Sequence, residues 1–202
     1  PRFYHIFKLP LCHKIASMQK GEFSFIGDIA RLFGGLPHNG FEPIGDDCTV
    51  LNIGDEALVL STDMLIEDVH FLRGASSAEE VGYKSLMVNI SDVAAMGATP
   101  TATLLSLSLP ESAQGEWAEG FMRGFYEGCA KYGVALVGGD TTASRDKVCI
   151  NVVAIGRAPK SNIKRRSAAK VGDLICVTGK LGASSKGLVD IMFGDLNTAA
   201  AK

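Results

Sequence analysis

Residues 78–96 read AEEVGYKSLMVNISDVAAM, and their apolar side chains recur at the spacing of an α-helix. Gly97 follows directly and Pro100 comes shortly after it, a pattern typical of a helix end. Near that end, Asn89 and Asp92 stand at positions i and i+3 and therefore share one helix face. The segment is predicted to be a long helix that carries a polar pair within an apolar sequence.

Predicted strands lie on both sides of this helix. Cys48–Ile53 and Ala57–Thr62 read as strands joined around Gly54-Asp55, which predicts a hairpin. The other predicted elements are helices over Glu22–Phe33, Glu116–Tyr132 and Ser184–Phe193, and strands over Thr101–Leu109, Val134–Val137, Val148–Gly156 and Asp173–Thr178. Hairpin-paired strands interleaved with two helices on one face predict an α+β fold, an α/β sandwich with a mixed or antiparallel sheet, followed by the start of a second α/β domain.

The chain is expected to divide into three regions. Residues 1–20 are interpreted as a non-native or disordered leader, because the chain opens at Pro1 and Met18 is a plausible natural start. Residues 21–158 are predicted to form one N-terminal domain. Residues 159–202 begin with a basic, polar run that is interpreted as a linker and continue into the start of a truncated C-terminal domain.

The bulk composition excludes several classes of function. Twenty basic and 22 acidic residues give a net charge of −2, so no overall field would hold nucleic acid or an anionic membrane. No apolar run approaches the roughly 18–20 residues that a membrane-spanning helix needs. The five cysteines are scattered and never form a CxxC pair, which favours a reducing compartment over a disulfide framework or a zinc site.

Aspartates occur at four places inside or directly beside apolar segments, where a charged residue is not expected. They are Asp46 and Asp47 before a strand, Asp63 after Ser61-Thr62, Asp92 inside the long helix, and Asp140 after Gly138-Gly139. None has Lys or Arg within three residues, and a partly buried carboxylate must be paired, neutralised or metal-bound. Oxygen ligands without a His/Cys cluster suit a hard cation such as Mg²⁺.

Each of these aspartates also has a purely structural interpretation. Asp46 or Asp47 fits a turn and Asp63 fits a helix cap. Asn89 and Asp92 fit an exposed stripe, and Gly138-Gly139-Asp140 fits a tight turn. The coincidence of four such positions favours a common site over four separate structural roles.

Other features carry weaker signals. His70-Phe71 follows Asp63 after a short loop, and a lone histidine is more often a surface or packed residue than a functional one. Gly120, Gly124 and Gly128 recur every four residues and predict close packing of their helix onto the sheet. The Lys164-Arg165-Arg166 cluster fits a solvated linker. Because there is no GxxxxGK[ST] or GxGxxG motif, any ATP would be bound without a P-loop.

Taken together, these segments resemble the thiamine-monophosphate kinase family, from about Gly21 to Leu188. The most specific matches are the helix motif Asn89–Ala98 and the pairing of Ser61-Thr62-Asp63 with His70-Phe71. Weaker matches are Gly21-Glu22-Phe23, Ile44-Gly45-Asp46-Asp47-Cys48, Gly138-Gly139-Asp140-Thr141-Thr142, Arg166-Ser167-Ala168-Ala169-Lys170, Gly172-Asp173, Val177-Thr178-Gly179 and Leu181-Gly182.

The resemblance implies transfer of the γ-phosphoryl group of ATP to thiamine monophosphate, giving thiamine diphosphate, in a cytoplasmic homodimer whose N-terminal sheets pair. The superfamily includes aminoimidazole ribonucleotide synthetase, selenophosphate synthetase and a hydrogenase-maturation protein. Several Mg²⁺ ions would be held by Asp47, Ser61, Thr62, Asp63, Asp92 and Asp140, with Asp47, Asp63 and Asp92 as the catalytic carboxylates. By the same resemblance, Gly139 and Asp140 would lie at the ATP phosphates, Arg166 would contact ATP, and His70 would face the thiamine phosphate.

The chain departs from the family pattern in two respects. Ala168 stands where the family commonly has glycine. The family's Asp-Ser-Asp-Gly and Gly-Gly-Glu-Asp-Tyr motifs are expected beyond Lys202, so the chain would hold half an active site and be inactive alone. Two other hypotheses stay open: a sister ATP-using synthetase or dehydratase, and a noncatalytic dimerisation and metal-binding module.

Overall fold

The computed structural model describes residues 21–177 and 179–192 and divides the chain into two compact units, with the boundary between Arg165 and Arg166. The leader predicted over residues 1–20 lies outside the described residues. Within the described ranges, no helix is long and apolar enough to cross a membrane.

The first unit is built on a mixed five-stranded sheet. Its strands are β1 (Thr49–Ile53), β2 (Glu56–Ile66), β3 (Thr99–Leu109), β4 (Ala135–Ala143) and β5 (Cys149–Pro159). Their spatial order is β1-β2-β5-β3-β4, and only the pair β3–β4 is parallel. The predicted α+β class and its mixed sheet are therefore confirmed.

The two faces of the sheet differ in burial. Along β5, Ile150, Val152 and Ala154 are buried, whereas Asn151 and Val153 between them are half-buried. This period-2 alternation is the pattern of a strand with one face against the core. We call the side that carries Asn151 and Val153 the open face.

Helix α2 (Ala78–Ala95) covers the buried face. It packs against β2, β3 and β5, and helix α3 (Glu116–Tyr132) packs against α2. The start of α2 is fixed by a capping box in which Ser77 and Glu80 each bond the other's backbone N–H. Helix α1 (Glu22–Phe33) precedes the sheet, and α4 (Ala183–Met192) belongs to the second unit.

The glycines of α3 contact α2. An added Cβ at Gly124 would lie 1.9 Å from the Glu79 carbonyl oxygen, and one at Gly128 would lie 2.9 Å from Leu86 Cδ2. Conversely, a Cβ at Gly82 would meet the Phe121 carbonyl oxygen at 2.0 Å. The predicted packing of these glycines onto the sheet is therefore wrong, because they bring two helix backbones together.

Three predicted strands need correction. β2 runs to Ile66, so Asp63 lies within the strand rather than at its end. β4 runs from Ala135 to Ala143, so Gly138-Gly139-Asp140 is not a turn. Residues 173–177 of the strand predicted over Asp173–Thr178 are not in a strand, and Thr178 lies outside the described residues.

Candidate functional site

Two side chains of α2 bind β2 directly. The Ser61 hydroxyl donates to Asp92 Oδ2 at 2.6 Å. The backbone N–H of Asp63 donates to Asn89 Oδ1 at 2.8 Å. The polar pair that the helix periodicity places on one face thus faces the sheet rather than solvent, and it brings Ser61, Asp63 and Asp92 together.

The Asp46-Asp47 segment reaches the same region from the start of β1. The pKa of the Cys48 thiol is raised to about 12, first by burial and then by the negative charges of Asp92, Asp47 and Asp46. Asp46 and Asp47 directly precede Cys48 in the chain, and the Asp92 carboxylate acts on the same thiol from the helix. Within the segment, the Asp47 N–H donates to Asp46 Oδ1 at 3.2 Å.

A pocket of about 630 Å³ opens beside these carboxylates, between α1 with its following loop and the strands β1 and β2. Its polar lining includes Asp46, Asp47, Ser61 and Thr62. Its apolar lining includes Phe33, Leu36, Ile44 and Leu60. The pocket therefore combines an acidic end with an apolar wall and has the size of a small-molecule site.

Thr62 points to the open face, opposite its neighbours Ser61 and Asp63. Its hydroxyl accepts a hydrogen bond from Asn151 Nδ2 at 2.9 Å. The sequence prediction missed Asn151, although one signal was present: it is the polar residue in a strand of valines and isoleucines. Asn151 holds the Thr62 hydroxyl in place.

Asp140 is not brought to β2. It pairs in register with Ser106 of β3, which in turn pairs with Asn151 of β5, next to Met64 of β2. Asp140 is therefore three strand spacings from β2, about 14 Å at ~4.8 Å per spacing. Gly139 lies beside Leu105, where an added Cβ would come within 1.7 Å of the Leu105 carbonyl oxygen.

His70 lies in the turn after β2. Its Nδ1 accepts the backbone N–H of Ile66 at 2.9 Å, and Lys84 Nζ donates to the His70 carbonyl oxygen at 2.8 Å. A neutral histidine that accepts at Nδ1 carries its hydrogen on Nε2. The exposed ring therefore retains one N–H donor.

An ion pair between a buried glutamate and a half-buried arginine supports this turn. Glu67 is buried, accepts from Arg73 Nε at 2.6 Å, and also accepts the Val148 N–H at 2.9 Å. Arg73 also donates to the Ser112 carbonyl oxygen at 3.1 Å. Glu67 is accounted for by these contacts as a structural residue.

The basic cluster divides between the two units. Arg165 forms a two-point ion pair with Glu42, in which Nε donates to Oε2 at 3.0 Å and Nη2 donates to Oε1. This bond is the main cause that lowers the pKa of the Glu42 carboxyl. Arg166 is exposed and begins a short 3₁₀ turn, Arg166–Ala168, in the second unit.

The donor chemistry fits magnesium only in part. Within residues 21–177 and 179–192, no three His, Cys, Asp or Glu side chains are arranged to hold a metal ion by themselves. The oxygens of Asp46, Asp47, Ser61, Asp63 and Asp92 nevertheless form an all-oxygen set. Mg²⁺ commonly binds one or two carboxylates together with waters and substrate phosphates, and this set suits that mode.

Comparison with known proteins gives a consistent picture. The family model described as AIR synthase related protein, N-terminal domain, matches residues 45–158, more than half of the chain. The thiamine-monophosphate kinase of Buchnera aphidicola is 44% identical over 151 residues, which cover 74% of this chain and 46% of that protein. The kinase of Escherichia coli is 40% identical over 189 residues, which cover 92% of this chain and 56% of that protein.

Solved structures agree with the sequence relatives. A structure described as AaThiL complexed with AMPPCP and TMP superposes with a TM-score of 0.79 at 36% identity, covering 86% of this chain and 53% of that one. The thiamine monophosphate kinase from Aquifex aeolicus superposes with a TM-score of 0.74 at 33% identity, covering 85% and 54%. The chain thus spans about half the length of the relatives it matches.

Proposed function

Because the chain belongs to the family of AIR synthase related proteins through the N-terminal domain of that family, we propose that it is the N-terminal part of a kinase that phosphorylates thiamine monophosphate with ATP. The product would be thiamine diphosphate, made by direct in-line transfer. The similarity to thiamine-monophosphate kinases at 40–44% identity supports the substrate. A structure of a relative with AMPPCP supports a nucleotide as the donor.

The observation that carries the proposal is the clamp between α2 and β2. Through the Ser61–Asp92 and Asp63–Asn89 hydrogen bonds, it gathers two carboxylates and a hydroxyl next to the Asp46-Asp47 segment. A bare polyphosphate would be repelled by such a cluster. With Mg²⁺ between them, carboxylates and phosphates attract, so the cluster suits a metal–nucleotide.

The chain's own residues would then bind and align the reactants. Asp47, Asp63 and Asp92, with Ser61, would hold Mg²⁺, which when bound neutralises phosphate charge. Thr62 is proposed as a further metal ligand that acts at a separate point, because its side chain lies on the open face, opposite Ser61 and Asp63. Gly139, Asp140 and Arg166 are proposed to contact the ATP phosphates, and Asp140 to contribute a further metal ligand. Asp140 lies across the sheet from β2, so it would act at a separate point on the nucleotide or in a second site.

The proposed reaction needs no general base. An ionised oxygen of the acceptor phosphate forms a bond to the γ-phosphorus as the bond between that phosphorus and the β–γ bridging oxygen breaks, and ADP leaves. His70 is proposed to donate its Nε2–H to the acceptor phosphate. That role is compatible with a ring whose Nδ1 is already occupied by the Ile66 N–H.

A homodimer in the cytoplasm is also proposed. The open face carries half-buried Leu58, Leu60, Val153 and Ile155, together with Met64, which is 53% exposed. An apolar sheet face of this kind favours association with a second copy of the chain.

The test separates binding from turnover. Calorimetry of this chain with Mg-AMPPCP should detect binding. A chimera in which this chain replaces the matching residues of the E. coli kinase should release ADP when thiamine monophosphate is added, whereas the chain alone should release far less.

Three results would count against the proposal. Absence of nucleotide binding together with an inactive but folded chimera would support the noncatalytic alternative. ADP release that depends on a different acceptor would support a sister enzyme. Turnover by the isolated chain equal to that of the E. coli kinase would show that the site needs nothing from the other half.

A further inference from the structure

Asn89 is a fully buried polar side chain whose hydrogen-bonding groups join two elements. Its relative exposure is 0%, Oδ1 accepts the Asp63 N–H at 2.8 Å, and Nδ2 donates to the Ser85 carbonyl oxygen at 2.9 Å. A buried amide is tolerated when both its donor and its acceptor are satisfied. Here one group anchors the amide to its own helix, and the other binds the strand.

The Asn89 bond reaches β2 beyond the end of β1. β1 pairs with β2 only from Glu56 to Leu60, whereas β5 pairs with β2 along its whole length. At Asp63, β2 therefore has a strand on one side only, and Asn89 joins this part of the strand to the helix.

The two hydrogen bonds between α2 and β2 run in opposite directions along the two elements: the later residue of the helix binds the earlier residue of the strand. Asn89 binds at position 63, and Asp92, three residues later, binds at position 61. Three residues of helix rise about 4.5 Å, and two residues of strand rise about 6.6 Å. The antiparallel helix and strand are therefore fixed against each other at two points, and a shift along either axis would break both bonds.

We propose that Asn89 is a positioning residue that holds the Asp63 peptide so that the Asp63 and Asp92 carboxylates stay in a fixed relation for the metal–nucleotide. The inference rests on the proposed function. Asn89 touches no reactant itself and acts through Asp63. Loss of its acceptor would remove the bond between the helix and the Asp63 peptide and loosen the carboxylate pair.

Ser85 provides a matched control. It is also fully buried in α2, and its hydroxyl donates to the Gly82 carbonyl oxygen at 2.9 Å within the same helix. Ser85→Ala removes one buried hydrogen bond without touching β2. Asn89→Ala removes the bond to β2, and Asn89→Leu does so while leaving little cavity.

The experiment uses this 202-residue chain. Mn²⁺ binding, with and without AMPPCP, is followed by electron paramagnetic resonance. Hydrogen exchange of the Asp63 amide is followed by NMR in the metal-free protein. Thermal unfolding reports stability in every variant.

The expected result is a split between the two positions. Both Asn89 variants should weaken Mn²⁺ binding about tenfold, the range seen when an outer-sphere partner of a metal ligand is lost, and should speed exchange of the Asp63 amide. Ser85→Ala should lower thermal stability but leave Mn²⁺ affinity and Asp63 exchange unchanged.

Several outcomes would overturn the inference. Equal effects of the Asn89 and Ser85 variants on Mn²⁺ affinity would make Asn89 merely structural. If neither Asn89 variant folds, the test is the hydrogen-exchange rate of the Asp63 amide in the wild-type chain. Rapid exchange overturns the inference, and slow exchange supports it. Absence of Mn²⁺ binding by the wild-type chain is a different result, because it overturns the proposed function on which the inference rests.

Discussion

Asp63 contributes to the candidate site through two different groups. Its backbone N–H is bound by Asn89, whereas its exposed side chain carries the charge that the proposed function needs. Substitution of the carboxylate should therefore separate ligand binding from folding. The same separation does not hold for Asp92, whose carboxylate also accepts the Ser61 hydroxyl.

For Asp63→Asn we expect Mn²⁺–nucleotide affinity to fall at least about tenfold, because a charged ligand is replaced by a neutral one of the same shape. Thermal unfolding should change little, since the backbone contact to Asn89 remains. Asp55→Asn, in the exposed turn between β1 and β2, makes the same change of charge and should leave affinity intact. Equal losses in the two variants would mean that only general surface charge is involved.

The Cys48 thiol predicts a pH dependence of stability. In an unfolded chain a cysteine ionises near pH ~8.5, but here burial, followed by the charges of Asp92, Asp47 and Asp46, raises its pKa to about 12. The folded state therefore keeps a proton that the unfolded state loses, so the contribution is complete below the unfolded pKa and is lost as pH rises toward the folded one.

Cys48→Ala removes this contribution. Urea unfolding at several pH values above 8 should show the free energy of unfolding of the wild type falling faster than that of the variant. Parallel curves would show that the thiol ionises alike in the folded and unfolded states.

His70 offers a test of the acceptor side. In the active chimera, His70→Ala should raise the KM for thiamine monophosphate more than the KM for ATP, because the ring's Nε2–H is proposed to face the acceptor. His70→Asn can keep an acceptor for the Ile66 N–H while losing that donor, so it should show the same KM effect with less loss of stability. A larger change in the KM for ATP would reject the assignment.

From the sequence, a candidate site residue could be predicted only where a charged side chain stands in an apolar segment. Asp47, Asp63 and Asp92 stand out because ionised groups are rare beside buried strands and helices. Asn151 and the Glu42–Arg165 pair were missed, because their partners lie far away in sequence. Asp140 stood out by the same criterion, but its distance from β2 follows from the strand order, which local patterns do not contain.

The packing of α2 on α3 depends on glycines at the contact. For Gly124→Ala we expect a loss of about 2 kcal/mol in the free energy of unfolding, because the new Cβ would lie 1.9 Å from the Glu79 carbonyl oxygen. Gly27→Ala in α1, where nothing lies within 4 Å, should instead stabilise by about 0.5–1 kcal/mol. Urea denaturation of both variants checks the pair, and a stable Gly124→Ala would show that the helices can separate at little cost.

Helices with strong periodicity could be predicted well, whereas the strand with an internal Gly-Gly pair could not. The bounds predicted for α1 and α3 are confirmed, because each has a clear apolar period and an end marked by glycine. β4 was cut short because Gly138-Gly139 has the composition of a turn. In the fold, Gly139 instead permits the β4 backbone to approach Leu105 too closely for any side chain.

The open face of the sheet leads to a prediction for the whole molecule. Light scattering at micromolar concentration should show a dimer. Met64→Lys should shift it toward monomer, because a charge would enter the proposed apolar contact. Tyr126→Lys, at a 71% exposed position of α3, places the same charge on a different surface and should leave the dimer intact. A wild-type monomer, or a dimer sensitive only at Tyr126, would contradict the role of the open face.

The sheet order β1-β2-β5-β3-β4 has a consequence for how the protein is made. β5, the strand in the middle of the sheet, is the last of the five to leave the ribosome. Its residue Ala154 pairs with Ser61 of β2, which is made much earlier. At a synthesis rate of ~5–20 residues per second, β2 waits about 5–20 s for that partner. During this interval Leu58, Val59 and Leu60 have only the short strand β1 beside them. A nascent chain in this state exposes an apolar strand that chaperones can shield until β5, Cys149–Pro159, has emerged and the sheet has closed.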